Sequence, residues 1–74
     1  MKRITHIEIV EPYKLKVRFS DKSERICDIA RFMDKGAFKE LKDFNLFKRV
    51  KNTGFSAEWP NGVDLSSDTL QSIQ

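Results

Sequence analysis

The clearest alternation of apolar and polar positions in this chain runs from Tyr13 to Ser20. Every second residue there is apolar, and the residues between them are cations. The apolar positions are Tyr13, Leu15, Val17 and Phe19, and the cations are Lys14, Lys16 and Arg18. A period of two is typical of a β-strand with one buried and one solvated face. The pattern therefore predicts a strand with four core side chains and a cationic outer face.

Two neighbouring stretches predict further strands of the same sheet. Residues 4–11 alternate in a similar way until a proline interrupts the ladder. A turn at residues 21–23 follows the cationic strand, and residues 24–28 return as its hairpin partner. In this third strand we expect Ile26 in the core and Cys27 on the opposite face.

After residue 28 the spacing of apolar residues becomes helical. It predicts short helical segments at residues 29–33, 37–42 and 44–47. Gly36 interrupts the first two, and Asp43 is placed to cap the third.

The C-terminal third predicts two more strands, at residues 48–52 and 55–59. The second of these places three side chains on one face: Phe55, Ala57 and Trp59. Asn61-Gly62 predicts a tight turn, and Ser66 or Ser67 caps a last short helix. The whole chain, residues 1–74, is thus expected to form one α+β domain in which a mostly antiparallel sheet of about five strands packs against short helices.

Charge is distributed unevenly along the 74 residues. All 14 lysines and arginines lie within residues 1–51, together with eight acids, whereas residues 52–74 contain three acids and no basic residue. This asymmetry indicates either an anionic partner for the basic part or simply solvated strand and helix faces. The net charge of +3 is small for a nucleic-acid-binding domain.

The composition argues against an enzyme. A general base needs a proton partner within hydrogen-bond reach, and the sequence offers none for His6, the only histidine. Cys27 lies between Arg25 and Arg31, but no base accompanies it, and a strand cysteine is usually a small core residue. Ligand spacing for a metal and a glycine-rich phosphate loop are both absent. We therefore expect no catalytic residues, no metal and no cofactor.

One cysteine cannot form an intramolecular disulfide, which favours a reducing compartment. The N-terminus has no apolar segment of the signal-peptide kind, and no apolar run approaches the length of a membrane span. A cytoplasmic protein without a membrane partner is therefore expected.

Two stretches are candidate interaction sites. Lys14, Lys16 and Arg18 could follow a phosphate backbone, although the aromatic residues that would stack bases lie on the opposite face. Lysines that protect a sheet edge from aggregation are the competing explanation. The second candidate is the rigid corner at residues 59–65, which holds the only Trp. Its candidate partner-binding residues are Trp59, as an interface anchor, with Asn61 and Asp64. A purely structural corner closed by Trp59 is the favoured interpretation of this stretch, and the recognition site is its alternative.

The corner Trp59-Pro60-Asn61-Gly62-Val63-Asp64-Leu65 resembles the closing signature of a bacterial family labelled domain of unknown function 2442. Earlier segments resemble that family in the same order: the strand ending in Phe19-Ser20-Asp21, then Asp28-Ile29, then Gly36-Ala37-Phe38. Lys22 departs from the glycine that many members carry, which suggests a different turn geometry.

The resemblance implies a compact α+β domain and no established activity. Some members carry a helix-turn-helix after this domain, and some are neighbours of small partner proteins in toxin–antitoxin-like pairs. Since the sequence ends at Gln74, soon after the signature, we expect no helix-turn-helix. The leading hypothesis is a non-enzymatic, regulatory or antitoxin-like module that binds a protein partner. Nucleic-acid binding through the cationic strand face is the alternative, and dimerisation by edge pairing stays open.

Overall fold

The computed structural model describes residues 2–73 and shows an α+β domain, as predicted. Its strands are β1 (Ile4–Glu11), β2 (Lys14–Phe19), β3 (Glu24–Asp28), β4 (Lys51–Asn52), β5 (Ser56–Glu58) and β6 (Asp64–Ser66). Its helices are two 3-10 helices, Ile29–Phe32 and Gly36–Lys42, and two α-helices, α1 (Phe44–Phe47) and α2 (Ser67–Ser72). The strands form two antiparallel sheets of three, ordered β1-β2-β3 and β4-β5-β6, instead of one sheet of about five.

The first sheet is built around β2, whose apolar face is buried as its alternation predicts. The expected orientation of β3 is wrong, because Cys27 is fully buried and Ile26 is 50% exposed. The hairpin loop explains this orientation. The Phe19 amide bonds the Ser23 carbonyl at 2.9 Å, so the loop has three residues and Leu15 lies opposite Cys27. Odd-numbered residues of both strands therefore share the inner face.

Lys22 ends this three-residue loop in a left-handed conformation, with φ at +72°. Glycine accommodates that conformation without strain, and a third loop residue of this kind is common in hairpins. The turn thus holds lysine in a conformation that glycine adopts more readily, and the different turn geometry expected from Lys22 stays a prediction.

The second sheet begins later than predicted. Residues 48–50 extend the last turn of α1, since the Arg49 amide bonds the Leu46 carbonyl at 3.0 Å. Strand β4 is consequently only two residues long. Phe55 also departs from expectation, because it lies in the turn after Gly54 and is 46% exposed instead of sharing the buried face of Ala57.

Side-chain caps begin three of the four short helices within residues 2–73, and only Gly36–Lys42 has none. The Asp28 carboxylate accepts from the Ala30 amide at 3.0 Å, and Asp43 accepts from the Asn45 amide at 3.0 Å. The Ser66 hydroxyl accepts from the Thr69 amide at 3.2 Å. The predicted caps at Asp43 and Ser66 are therefore confirmed.

The core lies between the inner faces of the two sheets and the helices. The sheets join where the Ile4 amide bonds the Gly54 carbonyl at 2.7 Å and the Asn52 side chain bonds the Ile4 carbonyl at 3.0 Å. The buried apolar side chains are Ile4, Leu15, Val17, Phe19, Cys27, Ile29, Met33, Leu41, Phe47, Ala57, Trp59, Leu65, Leu70 and Ile73. Within residues 2–73 no helix has the length and apolar character needed to span a membrane.

Candidate functional site

Trp59 is a core residue at the corner between β5 and β6. Its side chain is 1% exposed, and its Nε1 donates a hydrogen bond to the Phe47 carbonyl at 2.9 Å. The corner is closed by hydrogen bonds between Trp59 and Val63 and between Gly62 and Trp59, both at 2.9 Å. An interface anchor needs an exposed ring, so the buried Trp59 does not fit the candidate role of interface anchor. Its burial fits the favoured interpretation, a structural corner closed by Trp59.

Asn61 and Asp64 are placed differently from each other. The Asn61 amide donates to the Ala37 carbonyl at 3.2 Å and to Glu40 Oε1 at 2.6 Å, which ties the corner to the second 3-10 helix. Asp64 is exposed and lies opposite Glu58 across the β5–β6 pair. Its carboxylate has no hydrogen-bond or ion-pair partner among residues 2–73. A partner-binding role for these two residues stays a prediction, and only Asp64 has a free side chain for it.

A depression beside the corner was not predicted. It has a volume of about 280 Å³ and is lined by Arg49, Lys51, Glu58, Trp59 and Pro60. Neither cation forms an ion pair with any of residues 2–73, even though Lys51 lies opposite Glu58 on β5. In the sequence, the only indication of this site is that Arg49 and Lys51 are two residues apart, as on one face of a strand. The sequence does not show that these two cations lie beside Trp59.

The cationic strand face is paired with acids. Arg18 contacts Glu24 at 2.6 Å (Nη2 to Oε2), Lys16 lies 3.9 Å from the same carboxyl group, and Lys14 lies 3.3 Å from Glu11. The Arg18 hydrogen bond, helped by the charge of Lys16, lowers the pKa of Glu24.

The register extends this pairing over the whole outer face of the first sheet. Lys16 lies between Glu8 and Ile26, Lys14 faces Asp28 and Glu11, and Arg18 faces Glu24. Three cations are thus matched by four carboxylates. A surface that binds a phosphate backbone needs an excess of positive charge, so this arrangement weakens the nucleic-acid hypothesis for Lys14, Lys16 and Arg18.

The two edges of the first sheet differ. On β1 the register shifts at both ends, and Gly54 and Asn52 cover the backbone of Ile4. On β3 all five residues pair with β2 without a bulge, and Ile26 stands exposed in the middle of the strand. Bulges and covering segments are how proteins protect edges, so β3 is the unprotected edge of this sheet. Sequence reasoning missed this feature because it placed Ile26 in the core.

The candidate nucleophile and base lie apart. Cys27 is on the inner face of the first sheet, its Sγ is 3.5 Å from the Leu70 carbonyl, and burial raises the pKa of its thiol to about 11. His6 is exposed on the outer side, 3.4 Å from Glu8. Among residues 2–73 no group of three or more metal-ligating side chains is placed to hold a metal ion.

Comparison with known proteins adds one finding. No curated protein and no solved structure matches the chain. The family model described as "Protein of unknown function (DUF2442)" matches residues 4–72. Because this match covers nearly the whole chain, the protein belongs to the DUF2442 family.

Proposed function

We propose that this protein is a non-enzymatic interaction module that binds a protein partner at the β3 edge. The observation that carries the proposal is the unbulged edge strand with exposed Ile26 at its centre. A strand with free main-chain groups is a ready template for a strand from another chain. A regulatory or antitoxin-like role, which the family resemblance suggests, is a specific form of this proposal, and the single cysteine supports a cytoplasmic location.

The rest of the fold suits such a role, because it holds the edge rigidly. The inner side of β3 is fixed by Cys27, which packs beneath the sheet against α2. The outer side is fixed by the ion pair of Glu24 with Arg18. A strand fixed on both faces loses little conformational entropy when a partner pairs with it.

An affinity-capture experiment with an edge-specific variant tests the proposal. Ile26→Pro removes an amide that points away from β2, so it blocks edge pairing without removing a bond of the sheet. Val10→Lys is the matched control, since Val10 is 38% exposed on the protected strand β1. A protein retained in stoichiometric amount by the wild type and by Val10→Lys, and lost with Ile26→Pro, supports the proposal. Equal retention by all three, or no stoichiometric partner, contradicts it.

Binding of a polyanion is a second candidate function, and the unpaired cations Arg49 and Lys51 favour it. It predicts nucleic-acid binding whose logarithmic salt slope falls by about one unit for each phosphate contact removed. Arg49→Gln with Lys51→Gln should reduce that slope, whereas Lys14→Gln with Lys16→Gln should not. A flat titration against single- and double-stranded DNA and RNA at low salt contradicts this candidate.

A further inference from the structure

The main-chain groups of β3 alternate between the sheet and the open side. The hydrogen bonds of Phe19 to Ser23 (2.9 Å) and of Ile29 to Tyr13 (2.8 Å) close the β2–β3 ladder at its two ends. In an antiparallel ladder, residues bonded to the neighbouring strand alternate with residues whose N–H and C=O point away. Glu24, Ile26 and Asp28 are the residues that point away from β2. The Asp28 carbonyl belongs to the first 3-10 helix, because Asp28 is its N-cap, so the open main-chain groups of the edge are those of Glu24 and Ile26 and the Asp28 amide.

The same three residues carry their side chains on one face. Their partners on β2 are Arg18 for Glu24, Lys16 for Ile26 and Lys14 for Asp28, all on the outer face. A strand added to the open side therefore meets an acid, an apolar residue and an acid at every second position. Side chains directly opposite in neighbouring strands lie about 5 Å apart, so opposite charges stabilise the pair and like charges destabilise it.

A second copy of this chain fits the edge poorly. If two β3 strands pair antiparallel about Ile26, Glu24 of one copy lies opposite Asp28 of the other, twice. If they pair about Arg25, the two arginines lie opposite each other. If they pair about Cys27, Arg25 lies opposite Ile29, where the strand has ended and the first 3-10 helix begins. The first two registers place like charges together, and the third shortens the ladder.

From this pattern we propose that the β3 edge accepts an extended segment of a partner protein with the sequence pattern basic–any–apolar–any–basic. The segment pairs antiparallel to β3, its apolar residue lies opposite Ile26, and its two basic residues lie opposite Glu24 and Asp28. This inference rests on the proposed function and specifies the chemistry of the partner.

Two synthetic nine-residue peptides test the pattern. Both carry Thr and Val at strand positions around a central Val, and they differ only in having Lys or Glu two residues on either side of it. Binding is followed by amide shifts of ¹⁵N-labelled protein at low salt. We expect the Lys peptide to shift the amides of Glu24, Ile26 and Asp28, and to bind about tenfold more tightly than the Glu peptide.

Two variants separate charge from edge pairing. Glu24→Gln with Asp28→Asn removes both charges and keeps an oxygen for the cap at Ala30, so the preference for the Lys peptide should fall to about twofold or less. Ile26→Pro should abolish binding of both peptides. The fold of each variant is checked by the dispersion of its amide spectrum.

The outcomes distinguish this inference from the proposed function. Equal binding of the two peptides, or binding of neither, overturns the basic–apolar–basic pattern, while the capture experiment with Ile26→Pro still decides whether a partner uses the edge. Sedimentation that shows a wild-type dimer and an Ile26→Pro monomer identifies a second copy as the occupant and also overturns the inference.

Discussion

Trp59 Nε1 donates a hydrogen bond to the main-chain carbonyl of Phe47 at 2.9 Å, and the rings of the two residues stack with centroids 6.0 Å apart. Phe47 ends α1, and Trp59 follows β5, so this pair joins a helix to the second sheet. The Tyr13 ring makes an edge contact with Phe47 at 5.4 Å and extends the link to the first sheet. The corner that contains Trp59 is therefore a junction of the fold.

Replacing Trp59 should destabilise the protein strongly. Trp59→Ala leaves a cavity and removes the stacked ring, so we expect a loss of about 3–5 kcal/mol in the free energy of unfolding. Trp59→Phe keeps an aromatic ring but loses the hydrogen bond, for an expected loss of about 1–3 kcal/mol. Urea unfolding followed by circular dichroism measures both.

The matched control is Phe55→Ala. Phe55 is 46% exposed, and the Arg3 guanidinium lies over its ring, 5.4 Å from the ring centroid. An exposed cation–π contact contributes up to about 1 kcal/mol, so the loss should not exceed that value. A larger effect for Phe55→Ala than for Trp59→Phe would contradict the assignment of Trp59 to the core.

Lys22→Gly should stabilise the hairpin between β2 and β3. A left-handed conformation costs a residue with a Cβ about 1–2 kcal/mol, and glycine removes this cost while making the unfolded chain more flexible. The net gain expected is about 0.5–1 kcal/mol, read from the urea midpoint. Lys39→Gly, inside the second 3-10 helix, is the control and should lower the midpoint. A lowered midpoint for Lys22→Gly would contradict the strain at this loop position.

Local pattern was sufficient to predict much of this fold. The bounds of β1, β3 and α1 match the prediction, because proline, a polar turn and the Asp43 cap mark where the chain changes direction. The buried face of β2 could also be predicted from the sequence, because four apolar residues alternate with three cations. Such signals are local, so they do not depend on how the elements pack together.

Local sequence pattern does not predict how distant segments of the chain pair with each other. The orientation of β3 depends on the length of the hairpin loop. A three-residue loop places Cys27 opposite Leu15, so the buried face of β3 could have been predicted by counting the loop residues. The way in which the two sheets join depends on contacts of Ile4 with Gly54 and Asn52, about fifty residues away in the chain, which no local pattern encodes. The open edge at β3 was not predicted because the orientation of that strand was wrong and Ile26 was placed in the core.

Cys27 should react slowly with thiol reagents in the folded protein. The side chain is fully buried, and burial raises the pKa of the thiol to about 11, so little thiolate forms at pH 8. The thiol should react with a disulfide reagent such as DTNB only through unfolding or local opening, and at least about a hundredfold faster in 8 M urea. Fast reaction of the native protein, with no change in urea, would show an accessible thiolate.

The same thiol should make stability depend on alkaline pH. Its pKa is higher in the folded than in the unfolded state, so its contribution to stability is complete below about pH 9 and is lost as pH rises toward 11. Cys27→Ala removes this contribution. The urea midpoint of the wild type should therefore fall toward that of Cys27→Ala between pH 9 and pH 11, and a constant difference would contradict the assignment.

Asp21 should make the protein less stable as the pH falls into the acidic range, whereas Cys27 does so as the pH rises. The carboxylate is 2.8 Å from the Lys2 ammonium and accepts from the Ser23 amide at 2.9 Å, and these bonds hold its pKa well below the usual value for aspartate. A pKa lower in the folded state gives stability that is present above the unfolded pKa, near 4, and is lost as pH falls below it. Asp21→Asn keeps the size of the side chain and removes the charge. The difference in urea midpoint between wild type and Asp21→Asn should therefore be largest at pH 7 and shrink between pH 4 and pH 2.

Asp34→Asn supplies the control for this acid-range measurement. The Asp34 side chain is 84% exposed and lies 3.9 Å from Lys42, a geometry in which surface ion pairs contribute little. Its urea midpoint should follow that of the wild type at every pH. Lys2→Gln should reproduce most of the Asp21→Asn effect, and the double variant should lose little more than either single variant, because one ion pair accounts for both. If the losses of the two single variants add up in the double variant, the Lys2–Asp21 ion pair does not contribute. Asp21 would then stabilise the turn only through its hydrogen bonds with Ser23.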